Sequence, residues 1–142
     1  MAFTITVDEA NALFFIRVFD RDTLEDQLQR IHQIYSHPAW RPGYRLLVDF
    51  RPVEEATQKP ADCVWISEAR DSYESVIGSA KIATVADNDS IYDVKWVAEM
   101  LCPGKSRATS RAFRKWEDAL KWLDLPEDYD PPQGDEPMKG PS

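Results

Sequence analysis

The sequence predicts a mixed α/β domain with a largely parallel sheet, opened by an N-terminal β-hairpin, in the order ββαβαβαβα. Three observations carry that expectation. Apolar and polar residues alternate over the first strand, the period of a strand with one buried face. Short apolar runs then take turns with stretches whose apolar residues recur at helical spacing. Repeated strand–helix–strand units of this kind imply right-handed crossovers between parallel strands. Finally, residues 111–123, Arg-Ala-Phe-Arg-Lys-Trp-Glu-Asp-Ala-Leu-Lys-Trp-Leu, read as a short strand running into an amphipathic helix, the closing unit of such a domain.

Taken in order, Phe3, Ile5 and Val7 alternate with Thr4 and Thr6 to give the first strand. Asp8 to Asn11 form a turn, and Ala12 to Val18 return as the second strand of a hairpin. Asp22-Thr-Leu-Glu25 reads as a capping box, with Asp22 accepting from backbone N–H groups and Glu25 reaching back. Leu24, Leu28, Ile31 and Tyr35 then fall at helical spacing through residue 36. His37 to Tyr44, with Pro38, Pro42 and Gly43, is a loop, and Arg45 to Phe50 a short central strand. Pro52 to Lys59 reads as a polar loop, and Pro60 suits the first turn of a second helix. That helix carries Ile66, Ala69, Tyr73 and Val76 on one face. Lys81 to Ala86 is a strand, and Asp87-Asn-Asp-Ser90 supplies cap residues for a third helix. Ile91, Val94, Val97, Ala98 and Leu101 stripe that helix, and Pro103-Gly104 ends it. Ala108 to Phe113 is the last strand, and Trp116, Ala119, Leu120 and Leu123 line the last helix.

The 142 residues fit one domain, and 43% apolar with 30% charged residues is ordinary for a globular chain. The net charge of −8 is unevenly spread, because residues 126–142 hold five acids against the single base Lys139. With five prolines and almost no apolar residues, that stretch reads as an acidic, Pro-rich disordered tail following a domain at 1–125. The acidity repels nucleic acid and anionic membrane. No stretch approaches the roughly 18–20 apolar residues that span a bilayer, which argues against stable membrane insertion. The N-terminus lacks the basic start and apolar run of a signal peptide, so a cytoplasmic protein is the natural expectation. Cys63 and Cys102 are each isolated, and read as small core residues rather than a disulfide or redox pair.

Residues that carry chemistry are sparse. The sequence holds no Cys/His metal spacing, Gly-rich phosphate loop or nucleophile elbow, and only five glycines. It therefore predicts no cofactor and no metal, and disfavours a conventional enzyme. His32 lies inside the first helix, and His37 at its end favours the helix dipole. In open parallel sheets ligands sit beyond the carboxyl ends of the strands. That rule selects Asp49, Arg51, Asp87, Asp89, Arg114 and Lys115 as candidate ligand-binding residues. Three carboxylates there could share a hard cation. The simpler reading pairs Asp49 with Arg51 or Arg114 and uses Asp87 and Asp89 as helix caps. Lys105, Arg107, Arg111, Arg114 and Lys115 form a basic run, open to an anionic ligand, a lipid headgroup, the acidic tail or plain solvent. Tyr35, Trp40 and Tyr44 bracket the loop after the first helix and read first as core or rim packing, and Trp122 lies off the last helix's stripe. Of these, Trp40, Tyr44 and Trp122 are the candidates for an interface, a homodimer among them.

Leu46-Leu-Val-Asp-Phe-Arg51 at the third strand and the closing unit at 111–123 carry a family resemblance. The chain resembles the SpoIIAA-like, or STAS-like, family, in particular its small uncharacterised bacterial single-domain members. Such chains typically end with a strand, Phe, a polar turn, an acidic first helical turn, Ala and Trp-Leu. Here those are Phe113, Glu117-Asp118, Ala119 and Trp122-Leu123. Lys115 departs from the pattern, standing where a capping Asp or Thr is usual. The resemblance spans roughly residues 3–125 and implies a non-catalytic binding or regulatory module for a protein or a small anionic ligand. Relatives that antagonise anti-sigma factors carry a phosphorylatable Ser after the third strand, in an Asp-Ser-Ser-Gly-like turn. This chain has Asp49-Phe-Arg-Pro-Val-Glu-Glu55 there and no hydroxyl until Thr57, so the phosphoswitch does not carry over. The alternative function implied is a carrier of lipid or an apolar small molecule, because Sec14-like lipid-transfer domains share the fold. A carrier needs a cavity of roughly several hundred Å³.

Overall fold

The computed structural model describes residues 3–56, 59–101 and 108–132. Its elements are β1 (Phe3–Asp8), β2 (Leu13–Val18), β3 (Asp20–Asp22), α1 (Leu24–Tyr35), β4 (Arg45–Asp49) and β5 (Val53–Ala56). There follow α2 (Cys63–Asp71), α3 (Glu74–Ile77), β6 (Lys81–Val85), α4 (Asp89–Leu101), β7 (Thr109–Phe113) and α5 (Trp116–Trp122). The main sheet has the order β1-β2-β4-β6-β7. β1 pairs antiparallel with β2, and every other neighbour in that sheet is parallel. This is the expected hairpin followed by parallel crossovers.

Register sorts the sheet into two faces. Ile16, Val48, Thr84 and Ala112 form one row across it, and Phe14, Leu46, Ile82 and Ser110 the next. Most of this face is buried in one core with Ile34 and Tyr35 of α1, Trp40, Ile77 and Ile91 of α4. The opposite face presents Leu13, Phe15, Leu47, Ala83 and Val85 to Ala119, Leu120 and Leu123 at the closing helix. Alternate strand residues thus feed separate cores, as a two-residue repeat requires.

The structure corrects several sequence expectations. β3 and β5 form an additional two-stranded parallel ribbon, so the segment after Pro52 is not all loop. Val53 inserts into the first core at 3% exposure, which fixes an otherwise polar stretch. The capping box at α1 is shifted by one residue. Thr23 Oγ1 accepts from the Asp26 N–H at 3.1 Å, and the Asp26 carboxylate accepts from the Thr23 N–H at 3.4 Å. Asp22 is instead turned inward to cationic partners. At α4 the cap is Asn88, whose Oδ1 accepts from the N–H groups of Ser90 and Ile91, so Asp87 and Asp89 do not cap. Lys115 occupies the N-cap position of α5 with no side-chain cap bond.

Two further corrections concern the cysteines and the tail. Cys63 is buried and disulfide-bonded rather than an unlinked core thiol. The chain's one other cysteine, Cys102, lies outside the described residues. Strand and helix periodicity carry no information on such pairing, whereas the fold lays α4 beside the turn that leads into α2. Part of the stretch read as a tail from residue 126 is packed on the domain. Leu125 is buried, Tyr129 packs on the second core, and the Tyr129 hydroxyl donates to Asp8 Oδ2 at 2.5 Å. Residues 133–142 lie outside the described residues.

Candidate functional site

Four of the residues selected at the strand ends form two ion pairs, Asp49 with Arg51 and Asp89 with Arg114. Asp49, only 1% exposed, accepts from Arg51 Nε at 2.9 Å, Arg51 Nη2 at 3.0 Å and the Arg51 N–H at 3.0 Å. Arg17 Nε adds a contact at 3.3 Å. The Arg51 guanidinium lies 4.5 Å from the Trp116 ring centroid, so its charge also rests on an aromatic face. Farther out, Arg114 pairs with Asp89 and stacks over Tyr92. Asp87 is exposed, and its charge joins that of Asp49 in holding the Arg51 proton more tightly. Among the described residues no three His, Cys, Asp or Glu side chains gather closely enough to hold a metal ion. Asp49 is spent on arginine, as the simpler reading of the sequence has it. Lys105 and Arg107 of the basic run lie outside the described residues, and Arg111 covers the Phe113 ring.

The aromatic candidates are packed inward. Trp40 is 4% exposed, donates from Nε1 to the Val76 carbonyl at 2.8 Å, and meets Phe14 and Tyr35 edge-on. The indole thus closes the first core. Tyr44 packs beside it. Trp122 is half-buried against Phe113, with the Lys81 ammonium over its ring. Among the described residues the exposed large apolar side chains are Val64, Trp65 and Trp96. His37 is also structural, since Nδ1 accepts the Ala39 N–H at 3.0 Å and the ring meets Phe14 edge-on. His32 contacts the Tyr73 hydroxyl, tying α1 to the turn before α3.

A cavity of about 310 Å³ lies between the first sheet face and helices α1, α2 and α4. Leu46, Val48 and Ile82 floor it from β4 and β6, Ile31 and Ile34 wall it from α1, and Ile66 closes it from α2. Thr84, Ser67 and Ser110 contribute hydroxyls. Its charged end lies by Phe50, just past the carboxyl end of β4. There Arg30 grips Asp22 through two parallel bonds, Nη1 to Oδ1 at 2.8 Å and Nη2 to Oδ2 at 3.3 Å. Lys95 of α4 reaches the same Oδ2 at 3.3 Å and Gln27 Oε1 at 3.3 Å. The Lys95 ammonium sits 4.3 Å from the Phe50 ring centroid, and Arg30 lies over the rings of Phe3 and Phe50. Arg30 and Lys95 thus both contact Asp22, and Arg70 of α2 lines the same cavity.

Burial and charge pull the groups here in opposite directions. Burial works against the Asp22 carboxylate, but Arg30 and Lys95 together hold it below the ordinary range. Burial pushes Lys95 down to about 8, and the charges of Arg30 and Arg70 add to that effect against the pull of Asp22. Burial pushes the Tyr35 phenol up to about 12, so it lines the wall as a neutral hydroxyl. Strongly perturbed groups inside an apolar pocket mark a functional site more often than surface charges do.

Sequence reasoning selected residues at the carboxyl ends of the strands and did not single out Gln27, Arg30 or Lys95. Gln27, Arg30 and Ile34 share one buried stripe of α1 at helical spacing, and Lys95 follows Ile91 by four on α4. A charged residue in phase with a buried stripe was the available signal.

No family model matches the chain, and no curated protein does. Among solved structures it is similar to an uncharacterised protein of the DUF3478 family with a SpoIIAA-like fold from Shewanella loihica PV-4. The identity is 15% and the TM-score 0.54, over 86% of this chain and 94% of that one. The chain has a SpoIIAA-like fold, in agreement with the resemblance at 46–51 and 111–123, and at this identity the likeness concerns the fold alone. No helix among the described residues is long and apolar enough to cross a membrane.

Proposed function

We propose that the protein is a binding module that encloses a small anion with an apolar body. The anionic group meets Arg30 and Lys95, and the body lies along Leu46, Val48 and Ile82. One observation carries this reading: two nearly buried cations contact the Asp22 carboxylate at one end of a cavity whose floor is apolar. An added anion would meet these cations in a low-dielectric site, where its attraction to them is strong. The volume, about 310 Å³, equals that of about ten water molecules. A two-chain lipid far exceeds that space, so size argues against a membrane-lipid carrier. The ion pairs of Asp49 with Arg51, and of Arg114 with Asp89, are read as support for the strand ends beside the cavity.

Amide NMR of the full chain titrated with hexanoate, octanoate and benzoate tests the reading. Saturable shifts at Gln27, Arg30, Lys95 and the β4 and β6 floor are expected, and hexanol should bind far more weakly. Absence of shifts with all three acids would overturn it.

A further inference from the structure

We infer that the cavity holds a second anion-binding pole, at Tyr35 and Arg70, and that its ligand is a short dicarboxylate with an apolar middle. The inference rests on the anion-binding reading, which places one carboxylate at Arg30 and Lys95, and adds the group at the ligand's other end.

The first argument is a buried hydroxyl. Tyr35 ends α1, lines the cavity and is 4% exposed. Its ring meets Trp40 edge-on and lies against Tyr73. Among the described residues its hydroxyl makes no hydrogen bond. A buried phenol ordinarily has a partner, because an unmet polar group keeps its full desolvation cost. The cavity is the place from which a ligand oxygen can accept that bond. Burial pushes the phenol up to about 12, so at neutral pH it keeps the proton it would donate.

The second argument is a cation without a counter-ion. Arg70, part-exposed near the end of α2, lines the same cavity. Among the described residues its guanidinium makes no hydrogen bond and no ion pair. Arg30 and Lys95, by contrast, both contact Asp22. The charge of Arg70 is felt at the Tyr35 phenol and at the Lys95 ammonium, so it stands close to both ends of the cavity.

Together these groups define the chemistry of the ligand's second end. A guanidinium and a protonated phenol both donate, and the guanidinium carries a permanent charge, so their common acceptor is an anion with two oxygens, a carboxylate. Arg30 and Tyr35 are rooted five residues apart on α1, roughly 7.5 Å along its axis. The two poles are therefore distinct positions, and the apolar floor supplies the surface for a methylene chain that joins them.

Calorimetric titration of the full-length chain with adipate, hexanoate, suberate and octanoate, at one pH and ionic strength, tests the second pole. Adipate should bind about tenfold tighter than hexanoate, or suberate than octanoate, the gain from one added charge-assisted hydrogen bond. Tyr35→Phe and Arg70→Gln should each bring that ratio back toward one. In urea without ligand, Tyr35→Phe should keep or raise the wild-type midpoint, since the hydroxyl it removes has no partner in the chain. A lowered midpoint, a diacid preference that survives both substitutions, or equal affinity for diacids and monoacids overturns the second pole and leaves the binding reading standing. No binding of any of the four acids overturns both.

Discussion

Arg30 holds both carboxylate oxygens of Asp22, at 2.8 and 3.3 Å, with each side chain less than a tenth exposed. The pair joins the end of β3 to the middle of α1 beneath Phe3 and Phe50. Removing one partner of such a pair leaves the other charged and desolvated, a cost of roughly 3–5 kcal/mol. Asp22→Ala should lose stability on that scale in urea at neutral pH. Because the folded state holds Asp22 below its unfolded pKa, its contribution is present above about pH 4 and is lost as pH falls through the lower folded value. The wild type should therefore lose more stability than the variant between pH 5 and the acid transition. Parallel acid limbs would refute this account of Asp22.

Lys95 gives the opposite limb. Its folded pKa of about 8 lies below the unfolded value. Between about pH 8 and 10.4 the unfolded chain binds a proton that the folded chain has released, so stability rises with pH in that window. One proton corresponds to a slope of about 1.4 kcal/mol per pH unit. Denaturant titrations of the wild type and Lys95→Met across this range, taken as a difference, isolate the term from other basic groups. No difference in slope would mean that Lys95 titrates as an ordinary lysine.

Trp40 and Trp65 should behave as opposites. The Trp40 indole is enclosed by Phe14, Tyr35 and Tyr44 and hydrogen-bonded to Val76. Trp40→Ala should cost about 3–5 kcal/mol, the range for a large core truncation. Trp65, 58% exposed on α2, should tolerate Ser within about 0.5 kcal/mol. Urea unfolding gives both values, and light scattering should return the wild-type mass for each. A change of mass with Trp40→Ala would restore an interface role for that residue.

The sheet was legible because its information is local: alternation at Phe3, Ile5 and Val7, and the apolar run at Leu46 to Val48, each fix a strand and a face. Closing residues Ala119, Leu120 and Leu123 were legible for the same reason, their helical spacing. The short β3–β5 ribbon was not, since three-residue Asp-Arg-Asp has no pattern of its own and pairs only once the chain has folded. Asp22 was misassigned because a cap and a buried counter-ion are the same residue type until Arg30 and Lys95 are brought to it from eight and 73 positions away. The cavity depends on what three helices leave unfilled, and no local pattern encodes that.

The chain just past residue 125 is held by contacts that composition does not reveal. Proline and acid content placed the boundary at residue 125, yet the Tyr129 hydroxyl donates to Asp8 Oδ2 at 2.5 Å across 121 residues. Asp8 in turn accepts from the Asn11 N–H and side-chain amide, so one carboxylate fastens both the hairpin turn and the chain beyond α5. Partial burial opposes ionisation of Asp8, but these hydrogen bonds hold it below the ordinary carboxylate range, while the Tyr129 phenol is pushed up. Tyr129→Phe removes one charge-assisted bond and should cost about 1.5–3 kcal/mol. A chain ending at 125 should lose at least as much, because it also uncovers apolar surface around Leu125 that Tyr129 packs against. A chain ending at 132 keeps both contacts and should match the full-length protein in urea. Equal stability of the 125 and 132 truncations would return the boundary to where composition put it, with Tyr129 a passenger on the surface.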